Sequence, residues 1–479
     1  MTTGAHKPLR ARPRWDAATV LTWSAFAVYL ALAVVHAQER ILNSDCGYQL
    51  FWSIQDRGFF FQEARYGMFI TQVPMLAALW ALAPMNVLVL AYSTGLALTY
   101  GACILLARHV FRSAAAALAI MLSLVVGIGD SFYHATTETH LLVALSGLLY
   151  GAVEWLHRTG RAPRRYAVVA LIVVWAMFTH PNALFMVGFV MVLSLLLGRL
   201  RLPEVLGFLA LCGLYFAGRL LSLPEDSYDG RLYEELLNAP AIIARPGELF
   251  PIWFIGQYLR NEYIAVVVLI VVVVLFHRDR YAMLFTMGAA LALWGISIIV
   301  FHEGSGEAMM EKTFLPGIAM LCVPFAVLCT THRWRRGFTV LAALLFVHAF
   351  TNIHLRSRSY SERLDALATI MDRHAPDAPK LLLAFSEIEG TALHFSEWAT
   401  SIDALMLSRC RGDRPRTVFL WDDTNEARSA LDDPGAFLYL PWQPHLHVPL
   451  DPHYFPLPHR PYTRVSVALE PRVGRFSGS

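Results

Sequence analysis

Residues 161–201 run RAPRRYAVVALIVVWAMFTHPNALFMVGFVMVLSLLLGRLR. Two apolar stretches, 166–179 and 182–199, meet at His180-Pro181 and are closed at their far ends by arginines. A helix on the surface of an aqueous globule carries one apolar stripe, whereas these stretches are apolar all round, as segments solvated by hydrocarbon are. Proline breaks the helical ladder, so the stretch predicts two short membrane helices that turn back at His180. The arginines keep their far ends in the cytoplasm.

The same pattern recurs along the chain. With 56% hydrophobic and 16% charged residues and a mean hydropathy of +0.47, against roughly 25% charged in soluble proteins, no ordinary aqueous globule fits. The net charge of +3 is too small to suggest nucleic acid as a partner. Apolar runs at 17–37, 86–107, 114–130, 139–156, 166–179, 182–199, 204–222, 262–276, 281–301, 314–330 and 338–353 predict a polytopic α-helical membrane protein of about eleven spans. If the N-terminus is cytoplasmic, the turns at 108–112, 157–165, 199–201, 277–280 and 332–336 are inside, and each carries arginine. The loops 38–66, 131–138, 224–261 and 302–313 then lie outside. The run 68–83, with Pro74 inside it and Pro84 after it, predicts a helix at the outer interface rather than a span. The first run follows Lys7, Arg10, Arg12 and Arg14 but has no small-residue cleavage pattern behind it, and reads as a retained span. An inner (plasma) membrane location follows.

Two domains are expected: a membrane domain over 1–354, whose outer loop 38–85 carries interfacial helices, and an extracytoplasmic α/β domain over 355–479. In the latter, helices at 362–373 and 392–407 alternate with strands at 380–385 and 417–421 and short strands at 437–440 and 465–469. It has no glycine-rich phosphate loop. The six cysteines lack metal spacing, and four of them sit inside apolar runs, so neither a disulfide framework nor a metal site is expected.

Chemistry is expected on the outer face. Loop 38–66 mixes Glu39, Arg40, Asp45, Asp56, Arg57, Glu63 and Arg65 with aromatic residues, and Tyr48, Phe51 and Trp52 have helical spacing that predicts an amphipathic helix on the membrane surface. Asp45 follows the first span and suits either a proton acceptor or a helix cap. Glu138, with His134 and His140 nearby, suits a binding group or the cap of the fourth span. Lys312, His180 and His302 lie at outer helix ends, where they suit an anion; for Lys312 snorkelling, and for His180 a simple helix break, are the plain alternatives. His134 and His140 lack the i, i+4 spacing of a helical metal pair.

In order, Asn43-Ser44-Asp45 after the first span, the Pro74-containing segment 66–85, Leu106-Ala107-Arg108 through Phe111, Asp130 with Thr136-Thr137-Glu138, and Glu311-Lys312-Thr313-Phe314-Leu315-Pro316 form a set. The set resembles the GT-C superfamily of polyprenyl-phosphate-sugar-dependent glycosyltransferases, which includes protein O-mannosyltransferases and lipid A aminoarabinose transferases. The resemblance covers roughly 15–350. It implies a GT-C-like fold and an inverting transfer of sugar from a polyprenyl-phosphate donor to a lipid, glycan or protein acceptor. Asp45 would be the base; Glu138, His134, His140 and Glu39 would face acceptor or sugar; Lys312, His180 and His302 would face the donor phosphate. No cofactor is required by it, though a divalent metal is compatible with it. Two departures stand out: Cys46 follows Asp45 where many relatives have a second acid, and the later acid is Glu138 rather than aspartate. Two further functions stay open, a multispanning transporter and a catalytically silent GT-C-like anchor for the tail, although neither an internal repeat nor midplane acids favour transport.

Overall fold

A computed structural model describes residues 16–136, 138–222, 228–245, 249–259, 261–304, 306–374, 378–394, 397–412, 414–422, 431–439 and 449–466. The basic N-terminal residues from Lys7 to Arg14, Thr137, and most of the strand expected at 465–469 lie outside them. The first half of the chain forms α1 (Ala17–Val35), α2 (Ala37–Ile41), α3 (Asp45–Gln55), α4 (Phe69–Trp80), α5 (Met85–Leu105), α6 (Ala114–Ser123), α7 (Glu138–Thr159), α8 (Pro163–Met177) and α9 (Ala183–Leu196). Then follow α10 (Leu202–Ser222), α11 (Tyr228–Leu237), α12 (Ala239–Ile243), α13 (Phe250–Tyr258), α14 (Ile264–Phe276), α15 (Arg280–Val300), α16 (Glu307–Thr331) and α17 (Arg335–Arg373).

Among the described residues, seven helices are long and apolar enough to cross a membrane: α1, α5 with the wider turn that carries it to Val110, α7, α10, α15, α16 and α17. The other four predicted spans are helical but short. Helices α6, α8, α9 and α14 have 10, 15, 14 and 13 residues, about 15–22 Å at ~1.5 Å per residue, less than the ~30 Å of a hydrocarbon core. Prolines, glycines and turns at their ends set those lengths, as Pro163 and His180-Pro181 do around α8.

Helix α16 is the axis of the bundle. It packs on α6, α7, α14, α15 and α17 and is buried over most of its length. Pro316 supplies no N–H to the Lys312 carbonyl one turn back, and α15 binds the two carbonyls that follow: Trp294 Nε1 donates to that of Phe314 at 3.0 Å and Ser297 Oγ to that of Thr313 at 3.3 Å. The approach is close enough that a Cβ on Gly317 would stand 2.2 Å from Trp294 Nε1. Only glycine fits at that crossing.

Two elements differ from expectation. The predicted span 338–353 and helix 362–373 are one helix, α17, 39 residues long, because neither glycine nor proline interrupts 354–361. Its C-terminal half forms a strut bearing Arg356, Tyr360 and Arg363. Helix α3, expected on the membrane surface, is instead enclosed. Its Phe51 is fully buried against Phe437, Tyr439 and Phe455 of the tail; the aromatic face found a protein partner rather than lipid. The exposed Phe69, Ile70, Val73 and Trp80 of α4 do leave an apolar face uncovered, as an interfacial helix would.

The tail holds a three-stranded parallel sheet of order β2-β1-β3, with β1 Lys380–Leu383, β2 Thr417–Leu420 and β3 Thr463–Arg464. Between β1 and β2 lie α18 (Phe385–Ile388) and α19 (Thr400–Cys410). The strand expected near 380–385 ends at Leu383, where α18 begins, and the helix expected at 392–407 is the later α19. The tail rests on the outer loop through Arg57–Asp451 at 3.0 Å, through Gln55, whose side chain bridges Pro449 and Asp451, and through Tyr454, whose hydroxyl donates to the Leu79 and Ala83 carbonyls.

Candidate functional site

A cavity of about 580 Å3 opens where the helix ends opposite the arginine-bearing turns converge. Asp45 comes from the first turn of α3, Glu138 from the first residue of α7, Lys312 from the second turn of α16, and His180 from the α8–α9 turn. Arg65, Gln62 and Glu63 enter from the segment before α4. Leu293, Ile296, Val300, Phe301, Leu184 and Phe185 form an apolar wall. The cavity is therefore amphiphilic, with charge at one end and hydrocarbon along the side.

Four of the five charged residues lining the cavity come in two pairs. Arg65 Nη1 and Glu138 Oε2 are 3.0 Å apart and mostly buried, at the distance of a charge-assisted hydrogen bond. Lys312 Nζ stands 4.0 Å from Asp45 Oδ2, beyond the ~2.7–3.2 Å of a hydrogen bond, so each keeps hydrogen-bonding capacity toward a guest. The Asp45 side chain is 34% exposed and that of Lys312 only 9%. The carboxylate thus meets water at the mouth while the ammonium is held inside.

His180 contributes differently. Burial, reinforced by the Arg65 and Arg219 cations, holds its imidazole well below the usual histidine pKa. The Asn182 N–H donates to Nδ1 at 3.1 Å, which places the ring proton on Nε2. At neutral pH His180 is an uncharged donor on the cavity wall.

The surroundings fix these groups. The Thr136 backbone N–H and hydroxyl each donate to Cys46 Sγ at 3.3 Å. Cys46, next to Asp45, thereby ties the Asp45 turn to the Glu138 turn. Segment 62–72 is pinned by Trp175 Nε1 on the Gly67 carbonyl at 2.9 Å, by Arg219 on that of Glu63 at 3.0 Å, and by Gln72, which takes the Phe60 N–H and donates to its carbonyl. Gly67 lies so close to α8 that a Cβ would be 2.2 Å from Thr179 Oγ1. The outer end of α16 is held by Glu311, beside Lys312, which accepts the N–H groups of Gly129, Asp130 and Ser131 at 2.7–3.1 Å. Arg356 of α17 reaches Asp130 at 3.3 Å, Glu262 at 3.0 Å and Glu307 at 3.2 Å.

The other sequence candidates do not line the cavity. Glu39 accepts a hydrogen bond from Ser361 at 2.9 Å and lies 3.9 Å from His36. His134 is buried with its ring edge toward Tyr360, and its pKa is lowered by burial and then by Lys312 and Arg363. His140 is buried within α7. His302 lies next to the lining residue Phe301 but meets Glu235 at 3.7 Å and Glu303 at 3.9 Å. Conversely, Gln49 and Gln62 line the cavity without having been named, and Arg65 and Thr136, named only within the charged loop and the Thr136-Thr137-Glu138 run, line it as well. Arg65 sat in a stretch without helical or strand period, and only its alternation of charge with aromatic residues hinted at a wall. Among the described residues no group of three or more His, Cys, Asp or Glu side chains is arranged to hold a metal ion.

Neither the family models nor the curated proteins to which the chain was compared give a match.

Proposed function

We propose that this chain is a membrane glycosyltransferase of the GT-C type, with about eleven spans, that moves a sugar from a polyprenyl-phosphate donor to an acceptor on the extracytoplasmic face. The observation that carries this reading is the meeting of Asp45 and Lys312, 4.0 Å apart, at the polar end of a cavity whose side wall is apolar. A lipid-linked phosphate needs both surfaces: hydrocarbon for the chain and a cation for the headgroup. The segment count adds α6, α8, α9 and α14 to the seven longer helices, since arginine-bearing turns flank each of them at one end.

Asp45 takes the proton of the acceptor hydroxyl or amine while that atom forms its bond to the anomeric carbon. The bond from that carbon to the phosphate oxygen breaks, and polyprenyl phosphate leaves with the electron pair. Lys312 and the His180 Nε2–H meet the charge developing on the leaving oxygen, where preorganised donors act most strongly. Attack from the face opposite the phosphate inverts the anomeric configuration. Glu138, already paired with Arg65, orients sugar or acceptor rather than accepting a proton.

The test is Asp45→Asn in membranes containing the full chain, following consumption of a panel of labelled polyprenyl-phosphate hexoses and pentoses. Loss of a general base lowers turnover about 10²- to 10⁴-fold at normal expression. Parental turnover in the variant removes Asp45 from the chemistry. No consumption by the parent across the panel sinks the transferase reading.

A further inference from the structure

The tail domain reaches the Asp45 turn with a side chain of its own. Asp403 of α19 and Arg363 of α17 pair at 2.8 Å with side chains 0% and 1% exposed. Arg363 also donates from Nη1 to the Leu42 carbonyl at 3.2 Å. The Asp403 carboxylate faces the Ser44 backbone N–H, and its Oδ1 fills the space beside Gly47, where a Cβ would be only 2.3 Å away. Ser44 itself has φ +53° and provides no side-chain cap for α3. A non-glycine residue in the left-handed region persists only where its surroundings hold it.

The stretch 42–47 is thus held by one buried ion pair, with the strut's Arg363 on the Leu42 carbonyl and the tail's Asp403 beside Gly47. A carboxylate at the start of a helix also complements the helix dipole, a role Ser44 leaves open. We propose that Asp403, held by Arg363, is a positioning residue that sets the direction of the Asp45 carboxylate, so that the tail domain is an integral part of the site. This rests on the assignment of Asp45 as the base. It also accounts for Gly47, since any side chain there would displace the clamp.

The experiment compares Asp403→Asn, Gly47→Ala, Asp45→Asn and the Asp45→Asn/Asp403→Asn double variant, all as full chains in membranes. Consumption of the same labelled polyprenyl-phosphate sugars gives kcat and KM, and thermal unfolding of each detergent-purified protein reports its fold. Expected are a tenfold or greater fall in kcat with donor KM within about twofold for both Asp403→Asn and Gly47→Ala, and a double variant no slower than Asp45→Asn alone. A purely structural residue would instead change KM and kcat together and add its loss to that of Asp45→Asn. If Asp403→Asn does not fold, Gly47→Ala alone decides by the same kcat and KM criteria. Parental kcat in Asp403→Asn or, where that variant is unfolded, in Gly47→Ala, beside an inactive Asp45→Asn, overturns the positioning role and leaves the base intact. Parental kcat in Asp45→Asn overturns both.

Discussion

Replacing Lys312 with methionine keeps an unbranched apolar stem of similar bulk and removes the ammonium. Unit charges 4 Å apart interact by about 4 kcal/mol at an effective dielectric near 20 and by about 1 kcal/mol in water. The Lys312 side chain is 9% exposed and that of Asp45 34%, so the mouth of the cavity lies between those limits. A hydrogen bond from this ammonium to a phosphate oxygen then contributes about 1.5–3 kcal/mol, which is roughly a 10- to 100-fold rise in donor KM at ~1.4 kcal/mol per decade. The assay titrates donor in membranes and records KM and kcat, with thermal unfolding of the purified protein alongside. If Lys312 merely snorkels toward water, the variant folds as the parent does and its donor KM stays within about threefold. That result refutes the role given to it.

Gly317→Ala places a methyl against the Trp294 indole at the α15–α16 crossing, where a Cβ would be 2.2 Å from Nε1; overpacking of this kind costs about 1–3 kcal/mol, and an unchanged unfolding temperature would show that the crossing yields freely. Arg356→Met strips the countercharge from Asp130, Glu262 and Glu307 and should cost about 3–5 kcal/mol of stability, seen as a large fall in unfolding temperature; near-parental stability would mean these acids are held by something else. The Asp403 carboxyl is pushed up to about 6 by burial, with Arg363 and the Ser44 N–H opposing. A carboxyl whose folded pKa is raised binds its proton more tightly in the folded state, so its contribution is greatest below the unfolded value near 4 and declines as pH rises through about 6. The stability of the parent relative to Asp403→Asn should therefore shrink between pH 4 and 7, and a difference that grows over that range contradicts the assignment.

Apolar periodicity was enough to mark which segments are helical, because the helical state of a long apolar segment depends largely on its own composition. This is why Asp45, Glu138, Lys312 and His180, each read from its place at an outer helix end, lie around one cavity. Position along an axis is legible in that way; direction around it is not. Glu39, His134, His140 and His302, read from sequence as companions of these residues, do not line the cavity, since which azimuth faces the hollow depends on the packing of neighbouring helices. The lengths of α6, α8, α9 and α14 likewise follow from where their ends are tied, not from the apolar run alone. The burial of Phe51 beneath the tail, the pinning of Arg65 to Glu138, and the arrival of Asp403 beside Ser44 join residues far apart in the chain. Composition and spacing marked which segments are apolar helices and where along them the charges stand. Only tertiary contact decided which charges meet, because an ion pair or a close glycine contact exists only once two distant backbones have been brought together.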